Sequence, residues 1–121
     1  MGPSEDDIGL AKVFVRRANA DLDSAIILLE HGNYADSVYH SQQSAEKMVK
    51  SILILENLFV RDHLVSSVFA EIVSREKKLN RVLEYLEDLE KHWIRTRYPF
   101  LSKGKIWDPL EEYERKDAED A

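Results

Sequence analysis

Ile8, Ala11, Val15, Ala18, Leu22, Ala25 and Leu29 recur at steps of three and four, which predicts one long helix with these residues on its inner face. His31-Gly32 ends it. Gly32 can take the left-handed conformation that closes a helix, and Asn33 is placed to cap the next one through its side-chain oxygen. The second helix is predicted from about Tyr34 to Glu56, with Val38, Gln42, Ala45, Val49 and Ile52 inward and a polar opposite face. So short a link makes the two helices antiparallel. After a looser stretch from Asn57 to His63, the apolar segment Leu64 to Val73 keeps Val65, Val68, Phe69 and Ile72 at helical spacing. Ser74, three residues before Lys77, is an imperfect capping pattern for another amphipathic helix carrying Leu79, Val82, Leu86, Leu89 and Trp93 and ending near Arg97. Pro99 drives Tyr98 toward extended geometry, and Ser102-Lys103-Gly104-Lys105 reads as a flexible basic loop. Asp108 before Pro109 starts a last helix carrying Leu110, Tyr113 and Ala118. With no internal repeat and no two-residue alternation, the expected fold is all-α: an up-and-down bundle of four to five helices forming a single domain over residues 1–121.

Composition narrows the chemistry. Apolar residues at 44% and charged residues at 33%, with four Gly and three Pro, belong to a folded globule. The absence of Cys excludes disulfides, thiolate metal sites and a cysteine nucleophile, and makes a reducing cytoplasm the simplest compartment. The N-terminus carries acids rather than a basic, apolar leader, and the longest strongly apolar run is Ile52-Leu53-Ile54-Leu55, so no membrane association is expected. The abundance of Glu, Lys and Arg suits a thermophile, but mesophilic helical proteins share it. A net charge of −6 argues against general nucleic-acid affinity, so any phosphate site must be local. There is no Ser-His-Asp triad, phosphate-cradling glycine loop or zinc-ligand spacing, and the carboxylates from Glu111 to Asp120 diverge around a helix; neither metal nor cofactor is expected.

At the second helix the run Tyr34-Ala35-Asp36-Ser37-Val38-Tyr39-His40-Ser41-Gln42-Gln43-Ser44-Ala45-Glu46-Lys47-Met48-Val49-Lys50-Ser51 resembles the central helix of the HEPN domain family, typically small-x-x-x-x-Gln-Gln-Ala-x-Glu-Lys-x-x-Lys-Ala. Further landmarks follow in order: Ala20-Asp21-Leu22, Ala25, Leu28-Leu29 and Gly32, then His63-Leu64, Arg97-Tyr98-Pro99, Asp108-Pro109, Tyr113 and Lys116 to Ala121. The resemblance spans about Ala11 to Ala121; the family's last helix continues further, so this one reads as shortened. It implies a bundle like the nucleotidyltransferase substrate-binding domains. It also implies one of two functions: a metal-independent ribonuclease, or a noncatalytic module that binds nucleotides or partners a minimal nucleotidyltransferase. The ribonucleases place His four to six residues after Arg. Here Arg16, Arg17, Arg61, Arg75, Arg81, Arg95, Arg97 and Arg115 stand against His31, His40, His63 and His92, and no pair has that order and spacing. Without it, one helix turn cannot bring together an acid–base near neutrality and a cation for the phosphorane charge.

The resemblance therefore implies a noncatalytic module that binds a nucleotide such as ATP or partners a minimal nucleotidyltransferase in a toxin–antitoxin-type pair, and the apolar stripes of two long amphipathic helices, wider than one small core can cover, predict a homodimer. The alternatives are a divergent metal-independent ribonuclease using Arg97 with His92 or His63 on RNA across a dimer, and an interaction domain without ligand. The candidate nucleotide-binding residues are Gln43, Lys47, Lys50, His63, Arg97 and Tyr98. His40, Gln43, Lys47 and Lys50 share one helix face, where the lysines can hold phosphate and Gln43 a base or ribose; the competing reading is a solvated outer face with an ordinary Glu46–Lys50 pair. Arg95, Arg97, Lys103 and Lys105, with Tyr98 and Trp107, form a basic-aromatic patch suited to phosphates and bases. Against this, Tyr98-Pro99-Phe100-Leu101 can fold the loop onto the core while the cations complement a helix end. His63 is a ligand contact or a capping residue.

Overall fold

A computed structural model describes residues 2–58, 65–74 and 80–121. Helix α1 (Glu5–Glu30) and helix α2 (Tyr34–Leu55) form a long antiparallel pair. Ser4 starts α1 with a capping box: its hydroxyl accepts from the Asp7 amide and the Asp7 carboxylate accepts from its own. At the other end Gly32 has φ +81°, and the Asn33 and Gly32 amides donate to the Leu28 and Leu29 carbonyls. Asn33 stands at the cap of α2, but its side chain makes no capping bond. The backbone turn already closes the junction.

Small residues set the contact between the two helices. Ala11, Ala18 and Ala25, a heptad apart, are all buried, and from α2 the hydroxyls of Ser37 and Ser44 donate to the Ala25 and Ala18 carbonyls, both at 2.7 Å. Only small side chains let a hydroxyl reach across to a neighbouring helix's carbonyl. This corrects the expected inner face of α1, because Ile8 and Leu22 are 40% and 47% exposed while Asp21 is buried in line with the alanines. The close seam moves the larger aliphatics to the flank. The opposite face of α2 is polar as expected but not solvated throughout, since Gln43, Glu46 and Lys50 are buried.

Helix α3 (Ser66–Val73) and helix α4 (Asn80–Glu90) close the main core, where Phe69, Ile72 and Val73 meet Val49 and Leu53 of α2 and Leu86 of α4. Ser74 stands at the C-cap of α3, its hydroxyl donating to the Glu71 carbonyl; Lys77 and Leu79, the rest of the expected capping pattern, lie outside the described residues. The single helix expected to reach Arg97 is interrupted at Lys91, beyond which α5 (His92–Arg95) forms one turn. Val82, expected inward, is exposed.

The segment read as a loop holds a β-hairpin, β1 (Phe100–Ser102) and β2 (Lys105–Trp107), with Leu101 opposite Ile106. Lys103 and Gly104 turn it at φ 50° and 75°, the left-handed pair required by the tight hairpin turn that matches strand twist. Phe100 and Trp107 stack across the strands at 5.8 Å. Strands of three residues are too short to show a two-residue alternation. Asp108 then caps α6 (Pro109–Glu112) as expected, its carboxylate accepting from the Leu110 amide at 3.0 Å. The expected last helix is nevertheless split: Tyr113 is extended, and α7 (Arg115–Asp120) begins with its own capping box. The break buries Tyr113 and Ala118 against Ala35 and Val38 and leaves Leu110 exposed. All the same, the architecture is a helical bundle, with the hairpin as its one β element among the described residues.

Candidate functional site

Asp21 is the centre of the polar site between α1 and α2. A carboxylate on a buried alanine face requires partners, and α2 supplies two: His40 Nδ1 at 3.0 Å and the Lys47 ammonium. Burial pushes the Asp21 carboxyl up, but the hydrogen bonds and charges of Lys47 and His40 outweigh it and hold the group below its ordinary 3.8. Asp21 therefore stays ionised and makes Nδ1 the protonated nitrogen of His40, leaving Nε2 the acceptor in the neutral ring.

From Lys47 a ladder runs into the protein. Lys47 donates to Gln43 at 3.4 Å, Gln43 to Gln42 at 2.8 Å and Gln42 to Glu46 at 3.5 Å, and Glu46 faces Lys50 at 3.6 Å. The Gln-Gln-x-x-Glu-Lys run is thus an internal rail of polar groups. The Glu46–Lys50 pair, read from sequence as an exposed i,i+4 contact in one of two alternatives, is buried, with Glu46 2% and Lys50 6% exposed. Lys50 is sealed from solvent, whereas Lys47 stands at the partly open end of the rail.

In the other direction His40 meets Tyr39 edge to face, with ring centroids 5.2 Å apart. The Arg97 guanidinium lies over the same Tyr39 ring at 5.2 Å, over Trp93 at 4.7 Å and over Tyr98 at 5.2 Å, and donates to the Tyr98 hydroxyl at 3.4 Å. Three rings lie around one guanidinium while the residue remains exposed, an arrangement that leaves the cation open to an anion. Gln43, Lys47, Arg97 and Tyr98 thereby fall on one connected line through Tyr39, His40 and Asp21. Lys50 lies at its buried end, and His63 falls outside the described residues. Asp21, Tyr39 and Trp93 join this line without being expected from the sequence, where the one signal for Asp21 is a charge three residues after Ala18 and four before Ala25.

The basic-aromatic patch divides in two. Trp107 is occupied by Phe100 on one side, by the edge of Tyr113 and by the Arg95 guanidinium at 5.8 Å, and its indole N–H donates to the Arg95 carbonyl at 2.7 Å. It anchors the hairpin to α5. Among the described residues no group of three or more His, Asp or Glu is arranged as metal ligands, and no helix is long and apolar enough to cross a membrane.

The HEPN domain model matches residues 11–121, the stretch that contains both the rail and the caged arginine. The chain belongs to the HEPN domain family. This HEPN domain is 44% identical over 127 residues to "Putative toxin MJ1304" of Methanocaldococcus jannaschii, across 99% of this chain and 84% of that protein. It is similar in fold to the crystal structure of TT1696 from Thermus thermophilus, with a TM-score of 0.74 and 26% identity over 91% of this chain and 85% of that one.

A second histidine of the HEPN domain serves packing. His92 Nδ1 lies 2.6 Å from the Tyr113 hydroxyl, and burial pushes that phenol up to about 12, so Tyr113 donates and His92 accepts. Burial, with Lys91 and Arg95 adding to it, holds His92 below its ordinary 6.5 against the opposing pull of Asp88 and Asp117. A histidine kept neutral by the fold contributes stability above its unfolded pKa, and that contribution is lost as pH falls through the folded value. The urea midpoint is therefore expected to drop below pH 6.5 more steeply in the natural chain than in His92→Gln, measured by circular dichroism across a pH series. Parallel curves would remove His92 from the account.

Proposed function

We propose that this HEPN domain is the noncatalytic member of a cytoplasmic toxin–antitoxin-type pair, which binds a nucleotide or a minimal nucleotidyltransferase partner along the Arg97–Tyr39–His40–Lys47 line. The observation that carries the proposal is the exposed Arg97 guanidinium held among three aromatic rings. Its N–H edge pairs with phosphate, Tyr98 offers a half-exposed ring for a base, and Lys47 adds a second cation. The toxin name of the archaeal relative supports the pairing. Two copies associate through the exposed aliphatics of α1, Ile8, Leu22 and Ile26.

Melting the protein with and without ATP tests the reading, because a ligand that binds only the folded state raises its stability, by about 2.7 kcal/mol at a hundred times its Kd. An upward shift in the natural chain and in Lys105→Ala, lost in Arg97→Ala, is expected. No shift with any nucleotide, together with no complex on co-expression with a minimal nucleotidyltransferase, overturns it. Ribonuclease activity keeps one specific support, the Asp21-oriented His40 imidazole that shares the Tyr39 ring with Arg97. On that reading, RNA is cleaved in the presence of a chelator, and His40→Ala abolishes cleavage.

A further inference from the structure

The hairpin is built for more than closing the bundle. In its antiparallel register, side chains alternate between faces: Phe100 and Trp107 turn toward Arg95 and Tyr113, which leaves Leu101 and Ile106 on the outer face. These two are 73% and 74% exposed, and Leu110, just beyond on α6, is 74% exposed. A cross-strand aliphatic pair left in water gains nothing for this chain.

The backbone at the same pair is also open. The two-residue turn makes Ser102 and Lys105 a hydrogen-bonded pair, so Leu101 and Ile106 form the next, non-hydrogen-bonded pair, whose N–H and C=O groups point away from the hairpin. The sheet has two strands among the described residues, leaving each strand an edge without a ladder partner. A recess of about 280 Å³ at the hairpin is lined by Arg95, Phe100, Lys105, Ile106, Trp107 and Glu112. Its lining joins two cations, Arg95 and Lys105, and one carboxylate, Glu112, to the apolar Phe100, Ile106 and Trp107.

Charge selects what fits. From His92 to Trp107 the chain has four cations, Arg95, Arg97, Lys103 and Lys105, and no carboxylate, although the whole chain carries −6. Like charge opposes pairing of one hairpin with another, and a nucleic acid finds the aromatic faces here already taken by Phe100, Trp107 and Arg95. We infer that the outer face and edge of the β1–β2 hairpin dock an extended segment of a partner protein that alternates aliphatic and acidic residues. Its aliphatic side chains cover Leu101 and Ile106, its carboxylates meet Lys103 and Lys105, and its backbone extends the sheet.

Titrating the full ¹⁵N-labelled chain with a short peptide of alternating Glu and Val tests this, since chemical shifts register Kd values up to the order of 1 mM. The amides of Leu101 and Ile106 are expected to shift, with affinity falling as salt rises. The double variant Leu101→Glu, Ile106→Glu should bind at least roughly tenfold more weakly, a loss of about 1.4 kcal/mol, with its other signals in place because both residues are exposed. A Lys-Val peptide should produce no shift. The inference is overturned if the Glu-Val peptide leaves the hairpin amides unmoved, if the double variant binds it equally well, or if only oligo(dT) moves them. None of these outcomes bears on the nucleotide melt, which depends on Arg97.

Discussion

Replacing Lys50 by Met is expected to destabilise the protein by up to about 3–5 kcal/mol, because it removes a cation that faces the buried Glu46 carboxylate. Glu46 is almost fully enclosed and faces the Lys50 ammonium at 3.6 Å, with the Gln42 amide at 3.5 Å as a further donor. Met keeps the alkyl stem, so the loss measures charge rather than packing. A second change, Glu46→Leu, should return most of the lost stability, since buried pairs are often replaced by apolar residues at little cost. Urea unfolding of both single variants and the double variant checks this as a mutant cycle. A Lys50→Met loss below about 1 kcal/mol, the range of exposed pairs, would contradict the buried rail.

The second large effect is expected at Glu90. Its carboxylate reaches from the end of α4 to the start of α3, accepting the Val65 and Ser66 amides at 2.8 and 2.9 Å and the Ser66 hydroxyl at 2.7 Å. Helix starts expose unpaired amides, and an anion there satisfies them and interacts favourably with the helix dipole. Three bonds to one charged group, at a site where Val65 is fully buried, imply a loss of about 2–3 kcal/mol in Glu90→Ala. Because α3 brings Phe69, Ile72 and Val73 to the core, amide exchange in α3 should accelerate with that loss. Glu90→Gln keeps an acceptor but no charge and should fall between. Unchanged exchange in Glu90→Ala would mean that α3 is held by its apolar contacts alone.

The two long helices were legible because their apolar residues repeat at helical spacing over many turns, and that spacing depends on no partner. Which part of the stripe faces inward was less so. Hydrophobicity ranked Ile8 and Leu22 as core, whereas the seam is made by Ala18, Ala25, Ser37 and Ser44, whose small size permits interhelical hydroxyl–carbonyl bonds that no hydropathy pattern encodes. The hairpin is hidden in the sequence because its strands are short and its Lys103-Gly104 turn resembles any basic loop. Among the candidate site residues, Lys47 and Lys50 sit three apart on one helix and look equivalent in sequence. Tertiary packing makes them different: α1 supplies Asp21 to the first, and burial encloses the second with Glu46. The aromatic enclosure of Arg97 draws on Tyr39, distant in sequence, and could be read only from the fold.

The most direct test of the functional account is a ¹H–¹⁵N map of the full chain on addition of ATP. The Arg97 Nε–H, the Trp93 indole N–H and the amides of Tyr39, His40 and Tyr98 should shift along one saturating curve, while Lys50 and the hairpin amides stay in place. Saturable shifts confined to other surfaces, with the Arg97 and Trp93 signals unmoved, would contradict it.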